Sequence, residues 1–184
     1  MDYIGNNKAA WEEAFDHKQE GWGEENDKRL LNEDLPFFCK DMAAELRSMD
    51  FKGKSAAQFC FDFILFTIGA ITWFEDLKPL FQKVSDCLKP GGILLIHDFH
   101  PVMNMLPMPG EPEFDGEHLN RVAYSYFRKE PWIENEGMGY MSEPYESKTF
   151  TSFSHTMSAI INAVSDSQMR IVRLKEFDYD IGLT

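Results

Sequence analysis

The stretch Phe61–Pro101, FDFILFTIGAITWFEDLKPLFQKVSDCLKPGGILLIHDFHP, decides the fold. Its opening, FDFILFTIGA, is a short, nearly continuous apolar run, as expected of a strand buried on both faces of a parallel sheet. A helix should follow. Asp76 can cap its N-terminus, Pro79 falls within the first turn, and Leu77, Leu80, Phe81, Val84 and Leu88 make one apolar stripe. Lys89-Pro90-Gly91-Gly92 then stops the helix in a left-handed glycine turn, and GILLIHDF reads as a second buried strand. Strand, helix and strand in this order predict a right-handed βαβ crossover, the unit of doubly wound α/β sheets.

Upstream, helical spacing predicts helices over 7–20 and 33–49, the second carrying Leu35, Phe38, Met42, Leu46 and Met49, with EGWGEEND as the turn between them. Downstream, RVAYSYF and SKTFTSF alternate like half-buried antiparallel strands and predict a hairpin around an acidic, aromatic connection. Ser154 is the expected N-cap of a last helix bearing Met157, Ile160, Ile161 and Val164, and RIVRLKEFDYD is the expected strand after it.

The chain has 184 residues, 43% of them hydrophobic, which suffices for one domain with a sizeable core. Its 18 Lys plus Arg against 31 Asp plus Glu give a formal charge of −13, a field that repels polyanions and argues against a nucleic-acid substrate. Three widely spaced cysteines, Cys39, Cys60 and Cys87, suit neither a disulfide framework nor a zinc site and fit a reducing cytoplasm. The polar, acidic start has no secretory-signal pattern, and the longest apolar stretch, Phe63 to Phe74, is far short of the roughly 20 residues that span a bilayer. A cytoplasmic protein without a membrane partner is the expectation.

The run 61–101, with L-K-P-G-G before an apolar strand, resembles the fourth strand, following helix and fifth strand of class I S-adenosylmethionine-dependent methyltransferases. The opening NNKAAWEEAFDHKQEGWG is similar to the N-terminal helical cover of a small-molecule branch of that family, and SHTMSAIINAV with RIVRLKEFDYDI is similar to its last helix and the strand after it. The resemblance implies an α/β, mostly parallel, Rossmann-like sheet with an N-terminal helical cover and an inserted antiparallel hairpin. It divides a single domain, 1–184, into the cover (1–50), core strands and helix (51–101), a lid or hairpin (102–153), and a last helix and strand (154–184). The glycine-rich cofactor loop and the acidic ribose-binding strand end of the family have no counterpart here. Residues 52–60, KGKSAAQFC, resemble the beginning of the first strand, yet Cys60 runs directly into Phe61. The central portion of the sheet, on the order of 60 residues at about 30 per βαβ unit, is therefore expected to be missing. The closing DYDIGLT leaves no room for the hairpin that completes the family's sheet.

By resemblance, Thr67, Ile68 and Gly69 at the end of the first core strand border the methionine end of the cofactor, with Ile71 and Trp73 near its adenine or methyl side and Trp11, His17 and Trp22 in the cover. Ordinary strand-end and helix packing is the competing account of the same positions. His97, Asp98 and His100 close the second core strand, where alternation puts Asp98 and His100 on one face and His97 with Phe99 on the other. They are candidates for general base, against structural histidines; two ligands on one strand face fall short of a metal shell, and no metal is expected. Tyr124, Tyr126, Trp132, Tyr140 and Tyr145 could close over a substrate or form a satellite core, and His155 is a candidate substrate contact or a capping residue. The expected activity is methyl transfer from S-adenosylmethionine to a small molecule. Its alternative is an inactive relative that binds a partner. A sheet with exposed edges would favour association, a homodimer among the outcomes.

Overall fold

A computed structural model describes residues 2–17, 25–33, 38–50, 52, 61–137 and 145–179. In chain order the elements are α1 (Tyr3–His17), α2 (Asn26–Asn32), α3 (Lys40–Ser48), β1 (Phe61–Phe66), α4 (Leu77–Cys87), β2 (Leu88–Ile96), β3 (Trp132–Glu134), β4 (Phe150–Ser152) and α5 (Met157–Asp166), with short 3-10 turns at Ile71–Trp73 and Pro101–Met105. The chain is mixed α/β and forms two compact units, one from Met1–Asp50 with Trp132–Ser152, the other from Phe51–Pro131 with Phe153–Thr184.

In the second unit β1 and β2 pair in parallel, joined through α4, so the expected strand–helix–strand unit is present. Asp76 caps α4, its carboxylate accepting from the Lys78 N–H at 2.9 Å. The helix presents Leu77, Phe81 and Val84 to the interior. Phe81, with no exposed surface, centres a cluster with Ile71, Leu77 and Ala163, and Phe66, Leu94, Ile96, Ile160, Val164 and Met169 pack around it. Leu94 and Ile96 share one face of β2, so this core lies between that face and helices α4 and α5.

Several expectations are corrected here. α4 ends at Cys87 with Leu88 already extended, rather than in a glycine turn at its own C-terminus. Gly91, at φ +80°, sits inside a bulge: Phe61 pairs with Leu88 but Phe63 with Ile93, so Lys89–Gly92 loop out. Gly92 is needed there because a Cβ would lie 2.9 Å from the Lys89 carbonyl and 3.0 Å from that of Phe61. Lys89 also reaches across to Asp62, Nζ to Oδ2 at 2.8 Å. The strands are half-exposed rather than buried on both faces: every β1 residue is intermediate and Ile93 is 47% exposed. The sheet has only two strands among the described residues, with helices on one face.

RVAYSYF (121–127) contains no strand, and RIVRLKEFDYD has none among its described residues, because alternation makes a strand only where a partner edge is available. β4, inside the expected SKTFTSF strand, pairs instead with Trp132–Glu134. Thr156, not Ser154, caps α5: its hydroxyl accepts from the Ala159 N–H at 3.1 Å, the spacing that reaches an orphan first-turn donor.

In the first unit the expected helix over 33–49 begins only at Lys40, and α2 starts within the last two residues of the expected turn and runs on to Asn32. Ala10, Ala14, Met42, Ala43, Leu46 and Phe150 are buried. Buried Asn7 on α1 acts toward β4 as a strand would: its Nδ2 donates to the Thr151 carbonyl at 2.7 Å and its Oδ1 accepts from the Thr151 N–H at 2.6 Å. Trp22, Leu35, Tyr140 and the expected strand start at 53–60 lie outside the described residues. Among the described residues no helix is long and apolar enough to cross a membrane.

Candidate functional site at the tips of β1 and β2

The two parallel strands end side by side. The ladder runs one bond past β2, the His97 N–H donating to the Phe66 carbonyl at 2.9 Å. Beyond Phe66 the chain turns sharply, with Ala70 N–H donating to the Thr67 carbonyl at 3.1 Å and Gly69 at φ +79°, a conformation that disfavours any side chain. No atom lies within 4 Å of where a Gly69 Cβ would stand, so the turn presents open space. Thr67 and Ile68 on the same turn are exposed, whereas Ile71 is buried in the core.

Asp98 ties the two tips together. Its Oδ1 accepts from the Gly69 N–H at 2.8 Å and from its neighbour Phe99 at 2.9 Å. Its Oδ2 is buried and has no hydrogen-bonding partner among the described residues. Burial pushes the Asp98 carboxyl up, against the opposing pull of the Gly69, Phe99 and Ile71 N–H dipoles and of His97. The site therefore holds a carboxyl whose charged form burial disfavours and the surrounding N–H dipoles support.

Two histidines stand near this carboxylate. Burial lowers the pKa of His97, with Asp98 opposing, which favours the neutral imidazole. His155 is held by its Nε2, which donates to the Phe74 carbonyl at 2.9 Å. Burial lowers its pKa too, against the carbonyls of Phe74 and Ile71 and the carboxylates of Asp98 and Asp76. The 3-10 turn between them is pinned by a reciprocal pair: Phe153 N–H donates to the Thr72 carbonyl at 2.8 Å and the Thr72 hydroxyl to the Phe153 carbonyl at 3.0 Å. This fixes Trp73, which is half-buried at the end of that turn. Thr72 and Phe153 carry no sequence signal that would have marked them.

Other candidates are placed elsewhere. β2 stops at Ile96, so the expected strand-face alternation does not reach His97, Asp98 and His100. His100 caps the second 3-10 turn: its Nδ1 accepts from Val102 N–H at 3.2 Å, and its Nε2 pairs with Glu176 Oε1 at 2.7 Å. Both ring nitrogens are thereby engaged. The Tyr124 hydroxyl faces Glu111 and Glu113 at 3.1 and 3.0 Å, and burial, then these two carboxylates, push its pKa up. Tyr126 receives the first-turn Met157 N–H of α5 on its hydroxyl at 2.9 Å, an N-terminal capping role.

Trp11, Trp132, His17 and Tyr145 belong to the first unit, so the aromatic side chains expected in one lid are divided between the two units. Trp132 pairs with Ser152 in the β3–β4 ladder, and the His17 and Tyr145 rings lie 4.3 Å apart. Trp11 lines an open recess of about 590 Å³ on α1 with Glu12, Phe15 and Asp16. Among the described residues no three His, Cys, Asp or Glu side chains are grouped to hold a metal. Compared with protein-family models, with curated proteins and with solved structures, the chain finds no match.

Proposed function

We propose that this chain is an S-adenosylmethionine-dependent methyltransferase acting on a small molecule, with the β1 and β2 tips at the methionine end of the cofactor. The observation that carries the reading is the Asp98–Gly69 bond, which closes the ends of two adjacent parallel strands around an open glycine turn. In open α/β sheets ligands bind outside the carboxyl ends of the strands. The residues present fit a cationic amino-acid moiety: Gly69 lets a ligand approach the backbone, and the Asp98 carboxyl bonded to its N–H lies behind that turn.

When bound, S-adenosylmethionine supplies an electrophilic methyl group on a sulfonium. Thr67, Ile68 and Gly69 bind its amino-acid end, and Trp73, half-buried at the end of the following turn, provides apolar surface for the rest. Asp98 orients the donor and holds the Gly69 turn in shape. His97 and His155, whose pKa values burial lowers, take the proton released from an amine or hydroxyl acceptor in this reading. Alignment and exclusion of water carry most of the rate, so this reaction needs no triad.

Calorimetric titration of the full chain with S-adenosylmethionine tests the proposal. Saturable heat in the micromolar range, abolished in Asp98→Ala with the fold retained by circular dichroism, is the expected result. Absence of heat at high protein concentration refutes it. A second reading, a non-catalytic relative that binds a partner, draws on the half-exposed strands of a sheet with two strands among the described residues. It gains ground if the chain associates but takes up no cofactor.

A further inference from the structure

His155 reaches the candidate site from a segment, 153–157, that is fastened along its length. The Phe153 N–H donates to the Thr72 carbonyl at 2.8 Å, and its carbonyl accepts from the Thr72 hydroxyl at 3.0 Å. His155 Nε2 donates to the Phe74 carbonyl at 2.9 Å. The Thr156 hydroxyl accepts from the Ala159 N–H at 3.1 Å, and the Met157 N–H donates to the Tyr126 hydroxyl at 2.9 Å. All of these residues belong to the second unit.

Two of these contacts share one frame. Phe74 follows Thr72 by two residues, and His155 follows Phe153 by the same interval. The Thr72 hydroxyl closes one end of that frame and the imidazole closes the other. Phe153 is 8% exposed, so water does not readily replace the hydroxyl at its carbonyl. With both backbones fixed at Thr72 and Phe153, less conformational freedom remains to be lost when the ring is placed.

A carbonyl only accepts, so the bond to Phe74 puts the ring proton on Nε2 and the lone pair of the neutral imidazole on Nδ1. A proton taken up at Nδ1 gives an imidazolium with one proton on each nitrogen, and the Nε2 bond stays in place. The carbonyls of Phe74 and Ile71 and the carboxylates of Asp98 and Asp76 all favour the imidazolium, while burial opposes them and prevails. Loosening the ring exposes it to water and relieves that burial.

We infer that Thr72 is a positioning residue: through its paired bonds to Phe153 it holds the His155 imidazole in one place and one tautomer, with Nδ1 as the proton-accepting atom of the site. Thr72 acts through His155 and not on a substrate. The use of Nδ1 in methyl transfer rests on the reading proposed above, whereas the positioning of the ring does not.

Nitrogen-15 NMR of the histidine side chains in the full chain, without cofactor, tests the inference. In the wild type the His155 Nε2–H should give its own resonance, slow to exchange with water, and Nδ1 should be unprotonated in the neutral ring. Thr72→Val removes the hydroxyl and leaves the backbone bond from Phe153. It should speed exchange of the Nε2 proton by about fivefold or more, with the circular dichroism unchanged. The His155 titration should move up toward its ordinary value of 6.5. Thr72→Ser keeps the hydroxyl and should restore both signals. Should Thr72→Val misfold, Thr72→Ala is compared with Thr72→Ser in its place. A neutral wild-type ring protonated at Nδ1, exchange and titration alike in Thr72→Val and Thr72→Ser, or equal changes at His97 would each overturn it. These signals as expected, in a chain that gives no heat with S-adenosylmethionine, would uphold the positioning and strike the methyltransferase reading alone.

Discussion

Replacing Asn7 with Ala removes both hydrogen bonds that α1 makes to the backbone of Thr151. Asn7 is 8% exposed and Thr151 2%, so water does not readily replace the lost amide. Each buried backbone group left without a partner costs about 1–3 kcal/mol, and two of them give roughly 2–6 kcal/mol. That is a large share of the 5–15 kcal/mol typical of a folded domain. Asn7→Asp provides a sharper control. Its carboxylate can still accept from the Thr151 N–H, but its second oxygen then opposes the Thr151 carbonyl and must be protonated to donate to it. Such a carboxyl has a folded-state pKa above its unfolded value. Its contribution is fully present below the unfolded pKa and is lost as pH rises through the folded one. Urea titrations followed by circular dichroism should therefore show Asn7→Ala strongly destabilised at every pH, and Asn7→Asp recovering stability in acid. Loss of less than about 1 kcal/mol in Asn7→Ala, or pH curves for wild type and Asn7→Asp that run parallel, would refute the strand-mimic role.

Truncating Phe81 to Ala should cost about 3–5 kcal/mol, because the ring is fully buried among α4, α5 and the sheet and lies 6.2 Å from the Phe66 ring. Phe81→Leu should lose less than half as much; near-equal losses in urea titrations would mean that the cavity is not what matters. Asp98→Asn removes a carboxyl whose pKa burial raises above its ordinary value of 3.8. By the same sign rule the wild-type residue contributes most in acid and loses that contribution as pH rises, so the variant should gain on wild type between acid and neutral pH. Melting curves at several pH values check this, and a constant difference would contradict the buried carboxyl.

The β1–α4–β2 unit was legible because local chemistry specified each part of it. An apolar run, an aspartate two residues before a proton-donating backbone N–H and an apolar stripe from Leu77 to Leu88 all point the same way, whereas the Pro-Gly-Gly expected to stop the helix lies inside β2 instead. Residues 121–127 and 170–177 show the limit of that reasoning. Their alternation states what a strand needs from its two faces, and says nothing about whether an edge is there to pair with. β3 escaped notice for the converse reason: three residues, Trp132–Glu134, are too few to establish a period, and their pairing is decided by β4. At the candidate site, Gly69, Asp98, His97 and His155 were all marked by residue type and position. Their relation was not, since a carboxylate that bridges 29 positions to a glycine N–H leaves no trace in either local sequence. Asn7 likewise reads as one more polar residue on a helix until β4 is set beside it.

The account rests most heavily on the β1 and β2 tips as the place where the cofactor's methionine end is held. Amide chemical shifts of the uniformly labelled chain, followed as S-adenosylmethionine is added, address that directly. Shifts concentrated at Thr67–Ile71 and His97–Phe99 and saturating with the calorimetric affinity are expected. Saturable shifts confined to other residues, with these amides unmoved, would contradict it.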